Sequence, residues 1–272
     1  MTLAAAIQMV SGPEPRANLA QAAGLIAEAA AGGAQLAVLP ENFALMGTGD
    51  EAKLAVAESP GTGPIQDFLA RQAARHRLWL VGGTLPLRDE TDATRAYASC
   101  LVYNAEGRQA ARFDKIHLFD VHIPGRDESY AESRSTLAGT DIMVLETPLG
   151  RLGLAVCYDL RFPELFRRMA DQNVEIIALP SAFTAATGRA HWDVLLRARA
   201  VENLCYVIAP DQGGTHPGGR ETWGDSLIVD PWGQVLNRLA RGPGVVLGEI
   251  DLARLRQTRE RFPVLQHRRL KV

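Results

Sequence analysis

Short, wholly apolar runs alternate with helical patterns along this chain, and that alternation limits it to β-sheets covered by helices. Residues 3–10 read as a buried strand, and residues 16–31 as an Ala-rich helix closed by Gly32-Gly33. A short buried strand at 36–39 is stopped by Pro40. Residues 63–75 look helical, and 78–84 follow as a strand. The runs 97–103 and 108–113 alternate around Asn104-Ala105-Glu106-Gly107, a hairpin signal. Residues 143–147 and 151–157 flank the Pro148-Leu149-Gly150 turn in the same manner. A helix at 164–171 leads to a strand at 176–179, a helix at 191–203 and a strand at 206–209. Two more strands bracket Pro231-Trp232-Gly233, and a helix at 252–261 closes the pattern.

A short segment repeats. Leu36-Ala37-Val38-Leu39-Pro40-Glu41-Asn42-Phe43 resembles Ile176-Ile177-Ala178-Leu179-Pro180-Ser181-Ala182-Phe183, and each follows a helix. The pattern predicts mixed sheets with helices outside, and two similar halves packed sheet to sheet would use both copies. No Ser/Gly linker divides residues 1–272, so a single domain is expected. Functional residues are then expected where strands end, at Glu41 and Cys157.

Composition excludes several function classes. Lys+Arg number 29 and Asp+Glu 31, a net charge of −2, and no basic cluster precedes Arg268-Arg269. Neither a nucleic-acid footprint nor a polybasic membrane anchor is present. No uninterrupted apolar run is long enough to span a bilayer, and the apolar N-terminal stretch reads as a first strand, not a signal peptide. Cys100, Cys157 and Cys205 are odd in number and match no zinc or redox spacing, which points to reduced thiols and a cytoplasmic protein. Gly213-Gly214 and Gly218-Gly219 are followed by no Gly-Lys-Ser/Thr, and no His-Glu-x-x-His occurs, so neither nucleotide nor metal is expected.

Three residues could carry chemistry. Cys157 follows a buried-looking run and precedes a helix, where terminal amides favour thiolate; a cysteine in an apolar stretch can equally be a core residue. Cys100 and Cys205 read as core. Glu41 follows Pro40, which cannot continue a ladder, so its side chain can enter a cleft as a general base or stay in a surface loop. Lys115, after residues 111–114, could lower the Cys157 thiol and stabilise an oxyanion, or be a solvated strand-end lysine. His117, His122 and His191 are the nearby imidazoles, and a Cys157–His117 pair would suit thiol-protease chemistry.

Together these residues match a family. Leu39-Pro40-Glu41-Asn42-Phe43, Lys115-Ile116-His117-Leu118-Phe119-Asp120 and Val156-Cys157-Tyr158-Asp159-Leu160-Arg161-Phe162-Pro163-Glu164 resemble the nitrilase (carbon–nitrogen hydrolase) superfamily in order and spacing. Leu179-Pro180-Ser181-Ala182-Phe183, Gly188-Arg189-Ala190-His191-Trp192 and Asp230-Pro231-Trp232-Gly233 extend the resemblance over nearly the whole chain.

The resemblance implies an α/β fold, a four-layer α-β-β-α sandwich, and a catalytic Glu41-Lys115-Cys157 triad with no cofactor. A second glutamate assists in this family. Glu132 is assigned to it, with Glu128 as competitor. The backbone N–H of Tyr158 is expected to share the oxyanion with Lys115. Family members dimerise, so a homodimer acting on a small-molecule amide is expected. The tail Phe262-Pro263-Val264-Leu265-Gln266-His267-Arg268-Arg269 resembles the deaminated-glutathione branch of the Nit-type amidases more than the ω-amidases. Arg189 and Arg220, in Gly-rich settings, are candidate readers of a substrate carboxylate. Asp225, in Trp223-Gly224-Asp225-Ser226, stands where relatives often carry His, and the 212–220 loop is expected to shape the pocket. Other short-chain amidases, N-carbamoyl hydrolases and an inactive scaffold are the alternatives.

Overall fold

The computed structural model describes residues 2–47, 49–125 and 128–270. In chain order these form β1 (Thr2–Gln8), α1 (Pro15–Ala31), β2 (Leu36–Val38), α2 (Asp50–Ala55), α3 (Pro64–His76), β3 (Trp79–Val81), β4 (Leu85–Arg88), β5 (Ala96–Tyr103) and β6 (Gln109–Asp114). The short strands β7 (Asp120–His122), β8 (Ser129–Ala131) and β9 (Thr136–Leu137) follow. Then come β10 (Val144–Thr147), β11 (Gly150–Leu154), α4 (Pro163–Asp171), β12 (Ile176–Ala178), α5 (Ala185–Asn203) and β13 (Tyr206–Ala209). The chain closes with β14 (Ser226–Val229), β15 (Val235–Leu239), β16 (Gly244–Ile250) and α6 (Leu252–Arg261).

The anticipated helices α1, α3 and α4 each begin with proline in the first turn, where the missing N–H costs nothing. α5 starts at Ala185, nearly two turns before the expected 191. Gly188 weakens the helical pattern there, yet it is required, because a Cβ would lie 2.3 Å from the Cβ and Cγ of Trp223. The strand β16 departs from expectation: Gly244 and Gly248 dilute its apolar run, but it pairs antiparallel with the whole of β1.

Two large sheets result. One has the order β16-β1-β2-β3-β5-β4, the other β10-β11-β12-β13-β14-β15. Along either list the pairings run antiparallel, parallel, parallel, antiparallel, antiparallel. β2 and β12, the strands of the repeated segment, thus hold the same place in their sheets.

Alternating side chains build the layers. Ala4, Ala6, Leu36 and Val38 join one cluster with Leu154, Ile176, Ala178 and Ile208 of the opposite sheet. Ala5, Ile7, Ala37 and Leu39 point the other way, onto Ile26 of α1 and Leu69 of α3. On the far side Phe166 of α4 and Trp192 of α5 cover the second sheet. The order is α-β-β-α, as the resemblance implied. No helix among the described residues is long and apolar enough to cross a membrane.

Candidate active site

Glu41 leaves the end of β2. The Leu39 N–H still donates to Val81 O at 2.9 Å, and Pro40 then ends the ladder. The Glu41 carbonyl accepts from Gln212 Nε2 at 3.1 Å, and Gln212 in turn exchanges hydrogen bonds with Ser11 at 2.9 and 3.0 Å. Gly83 (φ 58°) packs against this corner so closely that a Cβ would sit 2.1 Å from Pro40 O. The Glu41 main chain is therefore held on both sides, and the residue is only 4% exposed.

Lys115 follows β6 and is 2% exposed. Its backbone is held from two directions, the N–H donating to Ala98 O at 3.0 Å and the carbonyl accepting from Gly139 N at 2.9 Å. Its ammonium donates to Glu41 Oε1 at 2.8 Å and to Glu132 Oε1 and Oε2 at 3.0 and 2.9 Å. Burial alone would lower this lysine's pKa, but Glu132 and Glu41 outweigh it and hold the ammonium well above its ordinary value. Glu132 also accepts from the Phe119 N–H at 2.7 Å. Burial raises the Glu132 carboxyl while Lys115 and Lys53 lower it, and the cations win. Glu128, the competitor, accepts instead from the Tyr130 hydroxyl.

Cys157 lies beyond β11. The Ala155 N–H continues the ladder to Ala178 O at 3.1 Å, and the Cys157 N–H reaches Pro180 O at 2.9 Å. Its backbone has φ 48°, a left-handed conformation costly for a side-chain-bearing residue. Asp159, fully buried, holds the turn. It accepts from the Val156 and His117 N–H groups, each at 2.9 Å, and meets His117 Nδ1 at 2.7 Å. The His117 ring stacks on Phe162 with centroids 3.6 Å apart. His117 is thus a strut of the turn, and it does not line the cavity onto which Cys157 opens. Burial pushes the Cys157 thiol well above its ordinary value, and Glu41 adds to the rise. Lys115 and the Ala182 N–H act in the opposite sense and lose. Desolvation thus opposes the thiolate that the turn was expected to favour.

These side chains open onto one cavity of about 550 Å³, within the roughly 300–1,000 Å³ range of small-molecule sites. Glu41, Lys115, Glu132, Cys157, Tyr158 and Arg220 all line it.

Comparison with known proteins identifies the family. The carbon-nitrogen hydrolase family model matches residues 3–260. The chain belongs to the carbon-nitrogen hydrolase family. It is 43% identical over 268 residues to a deaminated glutathione amidase of Synechocystis sp., covering 98% of this chain and 97% of that protein. The NitFhit protein of C. elegans superposes with a TM-score of 0.91 at 36% identity; 98% of this chain is covered, but only 65% of the NitFhit chain. Nit3 of Saccharomyces cerevisiae, a member of the nitrilase superfamily, superposes with a TM-score of 0.88 at 29% identity, covering 99% of this chain and 97% of that one. The protein is accordingly a hydrolase acting on carbon–nitrogen bonds, built on the nitrilase-type sandwich.

Two expectations look different within this carbon-nitrogen hydrolase. Arg189 is exposed and does not line the cavity. The early start of α5 puts it on a helix, not in a Gly-rich loop. Asp225 turns outward too: its carboxylate takes Arg238 Nε and Nη2 at 2.8 and 2.7 Å, so the residue is outside the cavity. The 212–220 loop does contribute, through Pro217, Gly218 and Arg220.

Sequence reasoning missed several supports of this hydrolase site. Asp159 sits inside a family motif without a role of its own there, although an Asp just after a strand end is a capping signal. Asp211 is fully buried and accepts from the N–H groups of Phe183 at 2.8 Å and Gly224 at 2.9 Å. Burial lifts its carboxyl well above the ordinary range despite these bonds. Lys53 carries no local signal at all, and Gln212 is marked only as the first residue of the 212–220 loop.

Proposed function

We propose that this chain hydrolyses deaminated glutathione to 2-oxoglutarate and cysteinylglycine through a thioester on Cys157. The reading rests on one observation above all. The Lys115 ammonium is clamped between Glu41 at 2.8 Å and Glu132 at 2.9 Å in the cavity that Cys157 lines. The 43% identity to an amidase of that name supports the choice of substrate.

In this reading the buried thiol stays protonated until substrate arrives. Glu41 then takes the proton as the Cys157 sulfur attacks the amide carbonyl carbon. The oxyanion accepts from the Lys115 ammonium and the Tyr158 N–H, where each such donor typically contributes about 3–4 kcal/mol. Collapse breaks the C–N bond, Glu41 protonates the departing nitrogen, and an acyl thioester remains. Water gives its proton to Glu41 and attacks the thioester; collapse of the second tetrahedral intermediate releases the acid and restores the thiol. Glu132 keeps Lys115 in place, and Arg220 reads a substrate carboxylate. Free thiols at Cys100, Cys157 and Cys205 suit a cytoplasmic protein. Exposed Val194 and Val201 on one face of α5 suit a homodimer of single-domain subunits.

The test offers deaminated glutathione and 2-oxoglutaramate to the protein and to Cys157→Ala, following 2-oxoglutarate release. Release from the first compound, lost in the variant, is expected. Preference for 2-oxoglutaramate would move the function to ω-amidase, and activity surviving Cys157→Ala would remove the thioester mechanism.

A further inference from the structure

The cavity holds more positive charge than this reaction uses. Lys115 is already taken by Glu41 and Glu132. Lys53 of α2, Arg134 of the helical turn Glu132–Arg134 and Arg220 line the same cavity. Among the described residues none of these three takes part in an ion pair.

Arg220 and Lys53 lie in two different settings. Arg220 donates through Nη2 to Ala182 O at 3.3 Å, beside the cysteine, and its guanidinium stands 5.2 Å from the Tyr130 ring centroid. Its Nε is buried with no hydrogen-bond partner. A desolvated guanidinium N–H without an acceptor is unfavourable in the free protein and is suited to a ligand's carboxylate. Lys53 instead borders a narrow recess beside the main cavity, shared with Asn42, Thr84 and Glu132, and Arg220 does not reach that recess. Its charge acts on the Glu132 carboxylate, so it stands over the glutamate end of the site.

The geometry points to two separate carboxylate-binding poles, Arg220 at one and Lys53 at the other, which select amides bearing a carboxylate on both sides of the scissile bond. This rests on the function proposed above and narrows it. Deaminated glutathione carries one carboxylate on its acyl part and one on the departing cysteinylglycine. 2-Oxoglutaramate carries only the first. A monoanionic amide leaves one pole unmatched in a partly desolvated cavity, where an unmatched charge counts against binding.

The experiment measures kcat and KM for deaminated glutathione, for its C-terminal amide and for 2-oxoglutaramate. The proteins are wild type, Arg220→Gln and Lys53→Gln. Amidation should lower the wild-type kcat/KM by roughly 10- to 100-fold, mainly through KM. One variant should show the same loss on the diacid and little further loss on amidation. The other should keep the full amidation loss, and its own deficit should persist with 2-oxoglutaramate. Lys53→Arg should retain most of the wild-type preference, which a merely structural role would not require. An amidation loss of equal size in every protein, or both poles responding to the same carboxylate, would overturn the proposal while leaving the reaction intact. No release from deaminated glutathione by wild type would remove the reaction and the two poles together.

Discussion

β2 and β12 hold equivalent places in their sheets, each between two parallel neighbours, and each runs on into Leu-Pro. Beyond the proline the two strand ends diverge. After Pro40 the chain presents a side chain, the Glu41 carboxylate, 2.8 Å from the Lys115 ammonium. After Pro180 it presents backbone: Pro180 O accepts the Cys157 N–H at 2.9 Å, and the Ala182 N–H faces the thiol. Ser181, the counterpart of Glu41, only turns its hydroxyl onto Leu179 O at 3.2 Å. One half of the sandwich supplies charge and the other a cradle. A site built this way should be intolerant of side-chain change at one strand end and tolerant at the other.

The largest expected effect tests the charged end. Glu41→Gln keeps the shape but removes the proton acceptor, so hydrolysis should fall by roughly 10²- to 10⁴-fold. The thiol should move the other way. After burial, the Glu41 charge is the main influence pushing Cys157 upward, so removing it lowers the thiol pKa. At a fixed pH below that pKa the thiolate fraction then rises, and N-ethylmaleimide should label Cys157 faster in the variant than in wild type. Near-normal hydrolysis would mean that Glu41 is not the acceptor, and slower labelling would mean that the thiol reacts by handing its proton to Glu41 and not as a preformed thiolate.

The comparison also explains what could be read from the sequence. Runs and breaks alone give mixed sheets with helices outside. They put Glu41, after Pro40, and Cys157 at strand ends, each still open to an ordinary surface or core role. The four-layer order and the roles of both residues come from family resemblance. The roles of Lys115 and Glu132 come from family resemblance, and the structure brings Lys115 to Glu41 and Glu132 to Lys115. The backbone end was not legible, because its geometry depends on distant partners. Nothing near Cys157 announces φ 48°; that turn is held by Asp159 reaching His117, 42 positions away. Gln212 buttresses Glu41 from 171 positions away. Arg189 misled because a glycine was read as loop, whereas Gly188 is the contact that lets α5 pass Trp223.

A middle-sized effect is expected at Glu132, which in the proposed mechanism supports the charged end without being its base. Glu132→Gln can still accept from the Phe119 N–H, but half of the charge around Lys115 is gone. Activity should drop roughly 10-fold, and stability at pH 7 by about 1–3 kcal/mol. The Glu132 carboxyl is held below its ordinary value of 4.5 in the folded state, so its stabilisation is complete above pH 4.5 and is lost as pH falls through the folded value. Urea unfolding between neutral pH and pH 3 should therefore show wild type losing stability more steeply than the variant. Parallel curves would mean that Glu132 is not bound more tightly as an anion than in the unfolded chain.

The smallest effect belongs to the cradle end, and there a null result carries the information. Ser181 is fully buried, and its hydroxyl makes one weak bond to its own strand. Its backbone does the connecting, the N–H donating to Pro210 O at 2.9 Å and the carbonyl accepting from Gln212 N at 3.1 Å. Ser181→Ala removes only the hydroxyl, so it should cost about 0.5–1.5 kcal/mol of stability and leave kcat/KM within roughly threefold of wild type. A loss approaching that of Glu41→Gln, with stability preserved, would show that both strand ends act through their side chains. The division between a charged half and a backbone half would then have to be given up.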